Sequence, residues 1–341
     1  MPEGRDIIVI GGSAGALEAV GGILSKLQHD IPAAVFIVLH SGQGSPGYLA
    51  TIFERQTQLA VRYAEDGEPI ELGTVYVAPP DRHLLVKPGE VRLVRGPKEN
   101  NFRPAIDPLF RSAAHTYDGR VIGVVLSGLL DDGAHGLFQI KQQGGVTIAQ
   151  SPDEAPQPSM PRAAIEQVGV DYVLTAQEIG ALLNDLSRSQ SDSELRPRAE
   201  QRDVAEGRAA GLRIPGVDAP SSPFACPQCG GGLWEVQDGG LIRYRCHVGH
   251  GFTAQTLETL INDELEQALW TSVRLLEEQA ELQTRLANRL QTKGNAPLRD
   301  RFESNAEDRS YAADLIRKLL TGNGVDGDAT TNPNIRHEYN K

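Results

Sequence analysis

The chain has 341 residues, enough for one large domain with something smaller attached. Its 45 acidic side chains against 33 basic ones give a net charge of −12, which argues against a nucleic-acid binder and the basic face it would carry. No apolar run approaches the length that crosses a bilayer, so no membrane insertion is expected.

Residues 1–5 lead straight into a strand, without the basic and apolar preamble of a signal peptide. The run Ile7-Ile8-Val9-Ile10 then breaks into Gly11-Gly12-Ser13-Ala14-Gly15, and an amphipathic segment ending near Leu27 follows: a buried parallel strand, a tight turn and a helix. The turn fits G-x-S-x-G, in which flanking glycines present a serine above the sheet beside free helix N–H groups. The competing reading is that Ser13 only N-caps the helix. A dinucleotide-binding G-x-G-x-x-G cannot be laid over these residues, and no G-x-x-x-x-G-K-[ST] loop occurs in the chain.

Ala34 to His40 reads as a second buried strand ending on a histidine, followed by a loop over 41–46 and a helical stretch from Gly47 to Gln56. Val61–Tyr63 and Thr74–Ala78 read as short strands, and Leu84 to Val94 as a hairpin turning at Pro88-Gly89. A helix is expected over Ile106–His115, and a third buried strand over Arg120–Ser127 before Gly128-Leu129-Leu130-Asp131-Asp132-Gly133. Helices over Ala134–Gln143, Met160–Val168 and Ala176–Leu186 alternate with strands over Gly145–Ala149 and Asp171–Leu174. This alternation predicts an α/β domain over residues 1–188, a doubly wound, mainly parallel sheet with helices on both faces.

Residues 189–223 are rich in Ser, Glu, Arg, Gln, Asp and Pro and read as a flexible linker. Residues 224–252 carry Cys226-Pro227-Gln228-Cys229 and Cys246-His247-Val248-Gly249-His250, which resemble the two knuckles of a zinc ribbon. Cys226, Cys229, Cys246 and His250 are the expected ligands of a structural zinc ion, because His247 directly adjoins Cys246 and would strain to reach the same ion. Residues 253–321 predict two helices, Thr256–Leu290 and Leu298–Leu320, offering an association surface. Residues 322–341 read as a disordered tail.

Ligands of open parallel sheets bind outside the carboxyl ends of the strands. Ser13, His40 and the pair Asp131-Asp132 all fall at that edge. A serine hydroxyl needs an imidazole to take its proton, and the imidazole needs a carboxylate to hold its tautomer. The N–H groups of Ala14 and Gly15 could receive the developing oxyanion. His83, His115 and His135 are rival bases, and Asp131-Asp132-Gly133 could equally be a cap and turn.

Across residues 1–188 the chain resembles the catalytic domain of the chemotaxis receptor methylesterases, the CheB family. The blocks that carry the resemblance are Ile10–Gly15, Ile37–His40, Gly73–His83, Arg103–Ala114, Gly123–Ala134 and Pro158–Ala164. The resemblance implies a triad of Ser13, His40 and Asp132, with Asp131 ranked second. It also implies hydrolysis of glutamate γ-methyl esters on the cytoplasmic domain of methyl-accepting chemoreceptors, releasing methanol, with glutamine deamidation as a second activity. No catalytic cofactor is implied. Members of that family usually begin with a receiver domain, whereas here strand one starts near residue 6, so no phosphorylation switch within the chain is expected. The controlling partner, a separate response regulator or another signalling protein, stays open. The alternatives are a non-catalytic signalling scaffold that keeps the fold, or a general small-ester hydrolase. The zinc ion is expected to lie away from the active site, in a module whose loss spares hydrolysis of a small ester. The flexible linker would let the ribbon and helices reach the active-site mouth or a receptor bundle and serve localisation or association.

Overall fold

The computed structural model describes residues 4–40, 47–189, 221–238, 241–291 and 296–321. They fall into two compact units, residues 1–258 and residues 259–341.

In the first unit, seven strands form one sheet: β1 Ile7–Gly12, β2 Ala34–Leu39, β3 Ala60–Tyr63, β4 Thr74–Val77, β7 Val121–Val125, β8 Val146–Gln150 and β9 Tyr172–Leu174. Their order is β3-β4-β2-β1-β7-β8-β9, and every neighbouring pair is parallel. Successive side chains of a strand point to opposite faces, and both faces of β1 are covered. Ile8 and Ile10 join a core with α1 (Ala16–Leu24), α2 (Leu49–Glu54) and α6 (Ala176–Arg188). Ile7 and Val9 join another core on the opposite face, formed with α3 (Ile106–Tyr117), α4 (Ala134–Gln142), α5 (Ser159–Val168) and the hairpin β5 His83–Lys87 and β6 Glu90–Val94. That is why these strands read as unbroken apolar runs. The chain leaves β1 toward β2 on one side and returns to its other side at β7, so the switch point where such sheets bind ligands lies at the carboxyl ends of β1 and β7.

Residues from 221 build a four-stranded antiparallel sheet, β10 Ser221–Ala225, β11 Gly232–Asp238, β12 Leu241–Cys246 and β13 Gly251–Thr253. β10 is an edge strand with an irregular register, which accommodates Pro223 and its missing N–H. Residues 221–223 of the predicted linker therefore belong to β10, and its residues 190–220 lie outside the described residues, as do the loop over 41–46 and the predicted tail over 322–341.

α7 runs from Ala254 to Gln291 and α8 from Ala296 to Thr321. In the second unit, buried Val273, Ala280 and Ala287 recur every seven residues along α7, as do Ala306 and Ala313 along α8. That is the spacing of a coiled-coil seam. Arg317 pairs with Glu277 across the two helices. No helix among the described residues is long and apolar enough to cross a membrane.

Candidate active site and metal centre

Ser13 follows β1 in a turn that the cap reading does not describe. Helix α1 is preceded by Gly15, whose φ of 78° is the left-handed conformation open to glycine, and no side chain caps the helix. A Cβ on Gly15 would also stand 2.8 Å from both Pro156 and the Ser127 hydroxyl. The Ser13 N–H donates to Ser127 O at 2.9 Å, and the Ser127 hydroxyl donates to Ala14 O at 2.8 Å. The ends of β1 and β7 are thus tied together, with the Ser13 side chain left part-exposed.

The hydroxyl of Ser13 lies 3.1 Å from His40 Nδ1, and His40 Nε2 lies 2.7 Å from Asp132 Oδ2. The imidazole and the carboxylate are each only 3% exposed. Asp132 is held from several sides: Oδ2 also accepts from the Ile106 N–H at 2.7 Å, and Oδ1 accepts from the Asn100 amide at 2.8 Å and the Asp107 N–H at 3.3 Å. Two of these donors are the free N–H groups that open α3, where negative charge is favoured. Burial pushes the Asp132 carboxyl up, but His40, the Ile106 N–H and Asn100 outweigh it and hold the group below the ordinary carboxylate range.

The rival residues have other partners. His83 is buried, accepting from the Ala105 N–H and donating to Pro97 O, and burial lowers its pKa. His115 contacts Arg111 O on the exposed side of α3. His135 Nδ1 accepts from Arg243 at 2.9 Å. Asp131 Oδ1 accepts from the hydroxyls of Thr253 at 2.7 Å and Thr256 at 3.2 Å, and burial raises its pKa. Two of these rivals, His135 and Asp131, therefore bind the cysteine-bearing module.

Sequence reasoning missed the turn Glu99-Asn100-Asn101-Phe102. Its ends exchange backbone hydrogen bonds, and both central asparagines have positive φ (49° and 71°), as primed turns require and asparagine tolerates. Phe102 stacks on the His40 ring, with centroids 3.7 Å apart and planes 10° from parallel. The Asn-Asn dipeptide was the available signal for the turn; nothing local announces its partners.

The four predicted ligands come together, with all four ligand atoms within 4.8 Å of one another. Cys226 Sγ and His250 Nδ1 are 3.7 Å apart, Cys229 Sγ and Cys246 Sγ 3.7 Å, and Cys246 Sγ and His250 Nδ1 3.5 Å. A tetrahedral ion with metal–sulfur bonds of about 2.3 Å and a metal–nitrogen bond of about 2.0–2.1 Å has edges of about 3.8 and 3.5 Å, so the residues fit such an ion. Gly249, at φ 104°, lets the second knuckle turn, with its N–H on Cys246 O. His247 is exposed. Burial, then the charges of Lys98 and Arg103, lower the pKa of His250 and favour the neutral imidazole a metal binds.

The module does not stand apart from the triad, which corrects that expectation. Arg243 and Arg245, spaced two apart on β12, share one face of the strand and bond Glu99 at 3.1 and 3.3 Å. Arg243 also pairs with Asp107 at 3.1 Å. The linker's length says nothing of this, because buried opposite charges, not chain connectivity, decide where the module rests.

The CheB methylesterase family model matches residues 8–183. A protein-glutamate methylesterase/protein-glutamine glutaminase of Anaeromyxobacter dehalogenans is 40% identical over 183 residues, 54% of this chain and 54% of its own. A relative from Leptospira interrogans, whose name carries the same two activities, is 40% identical over 185 residues, 54% of this chain and 96% of its own. The crystal structure of the Thermotoga maritima CheB methylesterase catalytic domain matches with a TM-score of 0.51 at 37% identity, covering 53% of this chain and 98% of that one. The chain thus spans about half the length of the Anaeromyxobacter relative, and its own residues beyond 183 lie outside the family match. With the seven-stranded parallel sheet and the Ser-His-Asp cluster at its switch point, the chain belongs to the CheB methylesterase family.

Proposed function

We propose that this chain is a serine esterase that hydrolyses glutamate γ-methyl esters on the cytoplasmic domain of methyl-accepting chemoreceptors, releasing methanol. The observation that carries this reading is the continuous chain of hydrogen bonds from Ser13 through His40 to Asp132. His40 Nδ1 takes the Ser13 proton as the hydroxyl oxygen attacks the ester carbonyl. The N–H groups of Ala14 and Gly15 receive the oxyanion. His40 then returns the proton to the departing methoxide, and methanol leaves. A water molecule, deprotonated by the same imidazole, cleaves the acyl-Ser13 ester and frees the glutamate. Asp132 keeps the imidazole oriented and stabilises its cation. The names of the relatives support a protein glutamate methyl ester as the reacting group, and the same acyl-enzyme reached from a glutamine side chain would release ammonia instead.

Cys226, Cys229, Cys246 and His250 hold a structural zinc ion, whose four protein ligands leave no open position for a substrate. Such an ion supplies folding energy to a small sheet with little core of its own. The long helices, with exposed Leu265, Leu275, Leu282, Leu315 and Leu319, serve association. The setting is the cytoplasm. Methanol release from a methylated receptor fragment, lost on Ser13→Ala, is the test of the reaction.

A further inference from the structure

Asn100 is 1% exposed and uses its side chain fully. Its Nδ2 donates to Asp132 Oδ1 at 2.8 Å and to Asp107 Oδ2 at 3.2 Å, while its Oδ1 accepts from the Thr253 N–H at 3.1 Å. Its own N–H donates to Gly251 O at 2.8 Å, and Glu99 forms a parallel bridge with Gly251. One side chain thus joins β13 of the cysteine-bearing module to the triad carboxylate. Next to it, Phe102 of the same turn lies on the triad imidazole.

The electrostatics bind the two parts as firmly. The catalytic domain buries four carboxylates here: Glu99, Asp107, Asp131 and Asp132 are each at most 3% exposed. Its own Arg111 reaches Glu99 at 2.7 Å. The module brings Arg243 to Glu99 and Asp107, Arg245 to Glu99, and Thr253 to Asp131. A buried carboxylate left without partners is unstable, so this corner of the active site is complete only when the module is docked.

We propose that the module is a working part of the catalytic unit: by holding the turn over 99–102, it makes Asn100 and Arg243 positioning residues for Asp132 and His40. This rests on the triad reading given above. Arg243 anchors Glu99 and so the turn; Asn100 then fixes the rotation of the Asp132 carboxylate, and Phe102 seats the His40 ring. The reacting atoms are untouched, so the device acts on turnover rather than on substrate affinity. A metal ion on Cys226, Cys229, Cys246 and His250 would act on the site through the fold of β12 and β13.

The test uses the full chain with Asn100→Ala, Arg243→Met and, as a control on the outward face of β12, Ile242→Ser, whose side chain is exposed. The readouts are kcat and KM on a soluble methyl ester, and the low-field proton resonance of the His40 N–H that faces Asp132. Asn100→Ala and Arg243→Met are expected to lower kcat about 10- to 100-fold with KM within about threefold, and to shift or broaden that resonance. Ile242→Ser is expected to change neither. If Arg243→Met fails to fold, Asn100→Ala decides alone, since it removes no charge. Wild-type kcat and an unchanged resonance in Asn100→Ala would overturn the proposal, as would a loss confined to KM. The resonance needs no substrate, so a wild-type chain inactive on the ester would count against the esterase reading without touching this one.

Discussion

Asn100 donates its amide to Asp132 Oδ1 at 2.8 Å while Thr253 donates its N–H to Asn100 Oδ1 at 3.1 Å. A residue of the four-stranded sheet is thus two hydrogen bonds from the Asp132 carboxylate. The Ser13-His40-Asp132 cluster and the cysteine-bearing sheet form a single packed arrangement.

Ser13→Ala and His40→Ala are each expected to lower ester hydrolysis by several orders of magnitude with the fold unchanged, since serine triads act as a unit. His135→Ala serves as the contrast: its ring nitrogen meets Arg243, so it is expected to affect stability more than turnover. Circular dichroism beside methanol release separates the two effects.

Asp132→Asn and Asp131→Asn are expected to part company. Asp132→Asn removes the acceptor that fixes the His40 tautomer and should cost about 10⁴-fold in kcat. Asp131 accepts two hydroxyl hydrogens on one oxygen, a role an amide oxygen can fill. Its variant is expected to stay within about tenfold of wild type, because a change acting through docking alone costs far less than loss of a triad member. Steady-state kinetics on one soluble ester compares them.

The central strands of the α/β domain were legible because β1, β2, β4 and β7 are buried on both faces, which writes them as apolar runs. Helices such as α6 were legible because one face is buried and the other is not, which writes them as periodic. Ser13, His40 and the pair Asp131-Asp132 stood out because each follows a strand at the ligand-binding edge, whereas the choice of His40 over the other histidines and of Asp132 over Asp131 came from the resemblance to the CheB family. The role of Asn100 was not, because its partners Asp132 and Thr253 lie far along the chain and share no local pattern with it. Arg243 and Arg245, alternating on one face of a strand beside a cysteine knuckle, were the one local hint that a carboxylate must face that sheet. The flexible composition of 189–223 led instead to the expectation of an independent module.

Acid is expected to loosen the module's seat. Burial pushes the Glu99 carboxyl up, but Arg111, Arg245 and Arg243 hold it well below the ordinary range. Asp132 is lowered as well. Groups with depressed folded pKa values contribute stability above their unfolded values, near 4, which is lost as pH falls through the folded values. Asp131, with a raised pKa, has the opposite sign: its contribution is present at low pH and lost as pH rises through its folded value. Melting temperature followed from pH 7 downward is expected to fall in the acid limb, and Glu99→Gln is expected to flatten that limb while lowering stability at neutral pH.

Breaking the buried pairs is expected to cost far more than breaking exposed ones. Arg243→Ala leaves Glu99 and Asp107 short of a partner and should cost about 3–5 kcal/mol. Arg274→Ala, whose pairing with Glu278 on α7 is well exposed, should cost less than about 1 kcal/mol. Chemical denaturation followed by fluorescence measures both.

Protein purified without added metal is expected to carry about one equivalent of zinc, by the tetrahedral fit of its four ligands. Chelation is expected to raise hydrogen exchange in β10 to β13 and, through Gly251 and Thr253, in residues 99–102, and to lower kcat. Exchange that rises in the sheet but leaves the turn protected would detach the metal from the active site.

Ester hydrolysis by Ser13 is tested by release of labelled methanol from a chemoreceptor cytoplasmic fragment carrying methyl-labelled glutamate esters, with wild-type protein beside Ser13→Ala. Steady release by wild type and release at the uncatalysed rate by Ser13→Ala are expected. Equal release by the two proteins, or none by a folded, metal-loaded wild type, would contradict ester hydrolysis by Ser13.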